Sequence, residues 1–129
     1  TKGDSLQIAH TKLLQGPLLG SFLAAQVVAD LKHMDLLIRA EDWYAWAAPG
    51  PGSVRGLARV KGGEITPKKE FSHELLILRD TLMANGALRK DNGALPLCLQ
   101  DLQNCLCEFD KYERMLWGQG EMRSRYQGV

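Results

Sequence analysis

The stretch Gly50-Pro51-Gly52-Ser53-Val54-Arg55-Gly56 holds the residue types that most directly suggest chemistry. A glycine-bearing loop that opens a helix offers free backbone N–H groups at the positive end of the helix dipole, where an anion such as phosphate is stabilised. Arg55 falls in the first turn of that helix, and its guanidinium can grip the same anion through two parallel hydrogen bonds. Gly50, Gly52, Ser53 and Arg55 are therefore the candidate phosphate-binding residues. From Arg55 to Lys69, the five basic residues Arg55, Arg59, Lys61, Lys68 and Lys69 face only Glu64, a local charge of +4. The competing explanation is a tight loop followed by a solvated basic helix. The loop has the spacing of neither a Walker phosphate loop nor a dinucleotide fingerprint.

A second concentration lies near the C-terminus. On a helix, Asp101, Asn104, Glu108 and Lys111 fall within about 80° of one another, with Tyr112 at the edge. Cys105-Leu106-Cys107-Glu108-Phe109-Asp110-Lys111-Tyr112 packs carboxylates, a lysine and a phenol into one short run. Asp101, Glu108, Asp110 and Lys111 are the candidate catalytic residues. The alternative is a solvated helix face carrying a Glu108–Lys111 pair one turn apart. A third feature, Gly16 to Asp30, has a turn before a helix and is similar to the units that hold a DNA backbone through N–H groups. A plain helix–helix connection accounts for it equally well.

The remaining reactive side chains say less. His10, His33 and His73 have no local partners for a triad, and read as surface or satisfied residues. Trp43, Tyr44 and Trp46 could stack on an extruded base, although packing is their commoner use. Cys98, Cys105 and Cys107 form C-x6-C-x-C, without the paired spacing of a zinc site, so no metal ligand is assigned. Their odd number argues against a disulfide framework and for a reducing compartment, with buried free cysteine as the expected state.

Helices must position these groups, because apolar/polar alternation is not sustained anywhere. Residues 5–15 read as a short helix. Ser21 is the expected cap of a helix to about Ile38, in which Leu23, Val27 and Leu31 repeat at i, i+4, i+8. Residues 41–46 read as an aromatic helical turn. Ser53 is the expected cap of a helix through Val60, and Pro67 the expected first residue of the next. That next helix carries Phe71, Leu75, Leu78 and Leu82 on one face and stops at Asn85-Gly86. A loop at Asp91-Asn92-Gly93 leads to Pro96. The last helix runs to about Trp117 on a stripe of Leu99, Leu102, Leu106 and Phe109, and the tail from Gly118 is expected to fray.

The expected fold is all-α, a compact bundle of about five to six helices forming a single domain over residues 1–129. At 129 residues, 45% hydrophobic and 24% charged, the chain has ordinary globular composition. A net charge of +1 excludes coating of nucleic acid by bulk electrostatics, so any DNA contact must be a local patch. No apolar run approaches the roughly 18 to 20 residues of a membrane span. The N-terminus shows neither a signal peptide nor an initiator methionine, which leaves open a fragment of a longer chain.

Three motifs together resemble a bacteriophage family. They are Phe22-Leu23-Ala24-Ala25-Gln26-Val27-Val28-Ala29-Asp30-Leu31, then Pro49 through Leu57, then Asp101-Leu102-Gln103-Asn104-Cys105-Leu106-Cys107-Glu108-Phe109-Asp110-Lys111-Tyr112. The family is the alpha-glutamyl/putrescinyl thymine pyrophosphorylases, or amino acid:DNA transferases, itself similar to helix-hairpin-helix DNA glycosylases. The resemblance implies an enzyme acting on double-stranded DNA with a modified thymine, in the cytoplasm of a phage-infected bacterium. An amine, from an amino acid or a polyamine, would displace pyrophosphate from activated 5-hydroxymethyluracil. Gly50, Gly52, Ser53 and Arg55 would then bind the leaving pyrophosphate. Asp101, Glu108 or Asp110 would hold or deprotonate the amine. Lys111 and Tyr112 would meet the base or backbone, and Gly20, Ser21, Arg59 and Lys61 complete the expected DNA contacts. No cofactor is evident, though a divalent metal beside a pyrophosphate is chemically natural.

Two departures stand out. Leu18 occupies an expected hairpin glycine, and Gly50 or a neighbour stands where a glycosylase would carry its aspartate. A non-catalytic DNA-binding module on the same scaffold is therefore the alternative. A glycosylase is a third, needing Asp30 or Asp42 as its carboxylate.

Overall fold

A computed structural model describes residues 4–17, 20–86 and 97–118. Five α-helices follow in the order α1 Leu6–Leu14, α2 Ser21–Leu31, α3 Pro51–Val60, α4 Phe71–Ala84 and α5 Leu99–Leu116, with a 3-10 turn at Lys68–Glu70 leading into α4. No strand occurs among the described residues, and the expected all-α bundle is the fold. Among these residues no helix is long and apolar enough to cross a membrane. The expected hairpin residues Leu18 and Leu19, the loop from Asp91 to Pro96 and the tail beyond Gly118 lie outside the described residues.

Local signals explain most boundaries. The Ser5 hydroxyl accepts the Ile8 N–H at 3.1 Å, and both carboxylate oxygens of Asp42 accept the N–H groups of Leu6 and Gln7, so α1 begins with its exposed donors satisfied. Helix α4 ends as expected, with Asn85 as its cap and Gly86 at φ 73°, a left-handed conformation that glycine adopts without strain.

Four boundaries differ from expectation. Helix α2 ends at Leu31 rather than Ile38, and Gly20 rather than Ser21 is its N-cap. The Trp43 indole N–H donates to the Lys32 carbonyl at 2.8 Å, and residues 33–45 fold back in successive turns. Ser53 lies inside α3, because the Gly50 carbonyl already accepts from Val54 and Pro51 takes the first helical position. Pro67 precedes the 3-10 turn, and α4 starts at Phe71.

Two apolar clusters hold the bundle. One joins α3, α4 and α5 through Leu57, Phe71, Leu75, Leu99, Leu102 and Leu106. The other joins α1, α2 and the turns through Leu6, Ala9, Val28, Leu37, Trp46 and Ala48. The segment 46–48 contributes to both. The Leu99 N–H donates to the Tyr44 carbonyl at 3.1 Å, and buried Lys32 donates to Cys98 Sγ at 2.9 Å. These contacts tie the start of α5 to the α1–α2 half.

Candidate nucleic-acid interface

Helix α3 packs along α5, and two of its glycines face the seam. A Cβ on Gly56 would stand 2.2 Å from the Leu106 carbonyl oxygen, and one on Gly52 would stand 3.3 Å from Cys107 Sγ. Ser53 is fully buried there. Its hydroxyl accepts the Gly50 N–H at 3.0 Å and donates to the Gly50 carbonyl at 3.1 Å, while Gln103 Nε2 approaches at 3.3 Å. Gly52 and Ser53, expected at a phosphate, are thus engaged in helix packing, and Gly50 lines a neighbouring cleft.

The close approach brings Arg55 and Arg59, one turn apart on α3, onto Asp110 of α5. Arg55 Nε donates to one carboxylate oxygen at 2.9 Å and Arg59 Nε to the other at 3.0 Å. Arg114, one turn further along α5, stands 3.9 Å from the same carboxylate. Asp110 is 1% exposed, and a carboxylate at that depth persists only when paired and hydrogen-bonded. Arg59 and Arg114 take part in further contacts as well. Arg55 is the most open of the three, its side chain 46% exposed, against 25% and 24% for the others. Since Arg55 reaches Asp110 through Nε, the two terminal nitrogens of its fork are left for another oxygen acceptor. Its orientation is set in advance by a buried anchor, which lowers the entropic cost of gripping a phosphate.

The other expected site residues are dispersed. Asp101, Glu108, Lys111 and Tyr112 are exposed along α5. Asp110, nine residues beyond Asp101, is about two and a half turns on and therefore faces the opposite side. Asp101 accepts from Cys98 Sγ at 3.0 Å. Lys61 pairs with Thr66 at 3.0 Å and lies 3.6 Å from Glu74. Gly20 and Ser21 are exposed at the start of α2, where the Ser21 carbonyl meets His10 Nε2 at 3.1 Å. Asp42 is spent capping α1, and Asp30 is exposed near the end of α2.

All three cysteines are free, but their environments differ. Cys98 is buried, Cys105 is exposed and Cys107 is half-buried, so the expectation of burial holds for Cys98 and fails for Cys105. Burial pushes the Cys107 thiol up, opposed in part by its hydrogen bonds with Ser53 and reinforced by the charges of Glu108 and Asp110. It is a protonated thiol near neutral pH and a poor nucleophile. Among the described residues no three of His, Cys, Asp and Glu gather closely enough to hold a metal ion. Sequence reasoning missed Arg114 and the role of Asp110 as an arginine anchor. The i, i+4 spacings of Arg55 with Arg59 and of Asp110 with Arg114 were the available signal.

Comparison with known proteins adds one finding. A family described as "5-hmdU DNA kinase, helical domain" matches residues 1–122. No curated protein and no solved structure matches.

Proposed function

The chain belongs to the family of 5-hmdU DNA kinase helical domains, and from that premise we propose that it is the DNA-gripping part of an enzyme acting on 5-hydroxymethyldeoxyuridine in DNA. The family name is that of a kinase of 5-hmdU DNA, and a kinase transfers a phosphoryl group. Phosphoryl transfer is dominated by positioning and by electrostatic stabilisation of the phosphates. Holding the nucleic acid is the task assigned to this domain, on the strength of the anchored and solvent-facing Arg55. The enzyme would work in the cytoplasm of a phage-infected bacterium.

The observation that carries this reading is Arg55, anchored by buried Asp110 with its outer nitrogens open beside Arg59 and Arg114. A preset guanidinium fork matches a phosphodiester and carries no base specificity by itself. Specificity for the modified base would come from elsewhere in the enzyme. The test is binding to duplexes that differ at one position, thymine against 5-hydroxymethyluracil, measured across salt. Salt-sensitive binding of both duplexes supports a backbone grip, and salt-independent binding or none refutes it.

A second reading keeps the amine transfer implied by the amino acid:DNA transferase resemblance, which would act on the same base once activated. The exposed Asp101, Glu108 and Lys111 on α5 favour it, since they can reach a soluble amine. Asp110 does not serve there, because its oxygens are held by arginines. The glycosylase alternative would have to draw on Asp30, since Asp42 is engaged. Nucleoside mass spectrometry after incubating phosphorylated or pyrophosphorylated 5-hydroxymethyluracil DNA with glutamate or putrescine distinguishes the two. An aminated product that disappears in Glu108→Ala supports transfer, and unchanged DNA removes it.

A further inference from the structure

A cleft on the α1–α2 side takes no part in the arginine array. It consists of two adjoining hollows, here its lobes, of about 390 Å³ and 350 Å³, which have Pro49 and Lys68 in common. Each lobe falls within the size range of small-ligand sites. The first is polar at its walls, with Gln7, Thr11 and Lys69, and has Trp46 in its lining. The second is apolar, lined by Phe22, Pro51 and Val54.

Three properties narrow the occupant. Phe22 is 58% exposed on the wall of the apolar lobe, so a flat group laid against it removes aromatic surface from water. Lys68 and Lys69 are exposed and make no ion pair among the described residues. The acid lining the cleft, Asp42, already accepts from two backbone N–H groups, which partly offset its charge. A ligand that suits both lobes has a planar ring at one end, an anion at the junction and polar groups beyond.

We propose that this cleft binds a single nucleotide, its base against Phe22 and its phosphate at Lys68 and Lys69. Bases stack on aromatic rings without regard to sequence, because every base offers a π face. The lysines supply the charge-assisted hydrogen bonds that a phosphate takes. The inference goes beyond a DNA-backbone grip and does not require it, since the cleft and Arg55 share no residue.

Calorimetric titration with thymidine monophosphate, thymidine, ATP and a short single-stranded oligothymidylate tests it. Thymidine monophosphate is expected to bind about tenfold tighter than thymidine, the value of one or two charge-assisted contacts. Lys68→Ala with Lys69→Ala is expected to bring the monophosphate to the thymidine level, and Phe22→Ala to weaken both. All three residues are exposed, so the variants should fold. Arg55→Ala leaves nucleotide affinity unchanged, which separates failure here from failure of the DNA-backbone reading. Tighter binding of the oligonucleotide that is lost in the double lysine variant assigns the cleft to a DNA strand, and tighter binding of ATP that is lost in the same variant assigns it to a free nucleotide; both support the site. Absence of monophosphate binding, or undiminished binding by the double lysine variant, overturns it.

Discussion

Replacing Gly56 by alanine tests whether the α3–α5 seam positions the arginine anchor. Two opposing effects set the outcome. An alanine inside a helix is favoured over glycine by about 0.8–1.0 kcal/mol. Against that, the new Cβ would stand 2.2 Å from the Leu106 carbonyl oxygen, 2.8 Å from its carbonyl carbon and 3.1 Å from its Cβ, where ordinary contact begins at 3.4 Å. The nearest obstacle is backbone, which cannot rotate away as a side chain can. The helices must therefore separate, against a packed interior in which overpacking costs about 1–3 kcal/mol or more. The clash wins, for a net loss of roughly 1–2 kcal/mol. Gly52→Ala is the internal control. Its Cβ would meet Cys107 Sγ at 3.3 Å, a side-chain atom able to yield, so helix propensity roughly offsets contact and stability stays within about 0.5 kcal/mol. Urea unfolding followed by far-ultraviolet circular dichroism reads both variants. Leu106 lies one turn before Asp110 on α5, so Gly56→Ala should also weaken DNA binding. A Gly56→Ala protein as stable as wild type would refute the close seam and everything hung on it.

Removing the anchor itself should cost more. Asp110→Ala leaves Arg55 and Arg59 without their shared carboxylate, and because both guanidiniums reach solvent the expected loss of stability is that of the charged hydrogen bonds, about 1.5–3 kcal/mol, measured by denaturant unfolding. The thiols give a pH-dependent pair of expectations. Cys107 should be alkylated by iodoacetamide more slowly than exposed Cys105 at mildly alkaline pH, read by peptide mass spectrometry. Because its folded-state pKa is raised, Cys107 contributes stability that is intact below the ordinary thiol value and is lost as pH climbs through the elevated one. Cys107→Ala should flatten that alkaline slope in unfolding free energy, and an unchanged slope would contradict the assignment.

The sequence exposed the helices where apolar spacing and terminal residues agree. Phe71 and Leu75 are buried, Leu78 and Leu82 pack against them, and Asn85-Gly86 closes α4 as its residue types require. On α5 the stripe is right through Leu106 and then misleads. Phe109 is 36% exposed, while Asp110, a charged residue, takes the next inward position. Hydrophobic periodicity could not reveal this, since burial at 110 depends on two arginines arriving from a helix some fifty residues earlier in the chain. The early end of α2 is likewise tertiary, fixed by contacts such as Trp43 to Lys32 and Asp42 to the start of α1. Gly52 and Gly56 of the Gly50–Gly56 run also lie against α5, a packing role that the spacing of the glycines did not announce. The resemblance reached the chemistry of hydroxymethylated uracil in DNA, which the family match shares. It went further, to amine transfer, whereas the matched family is described as the helical domain of a 5-hmdU DNA kinase, and local motifs do not fix which step of a modification a helical scaffold serves.

The most direct measurement of the central claim is the salt dependence of binding to a 5-hydroxymethyluracil duplex by wild-type protein and by Arg55→Ala. Thermal melting of the variant establishes that it is folded. If Arg55 holds a backbone phosphate, log affinity against log salt should lose roughly 0.9 of slope, with affinity reduced alike for thymine and 5-hydroxymethyluracil duplexes. A folded Arg55→Ala protein with unchanged affinity and unchanged slope would contradict the account.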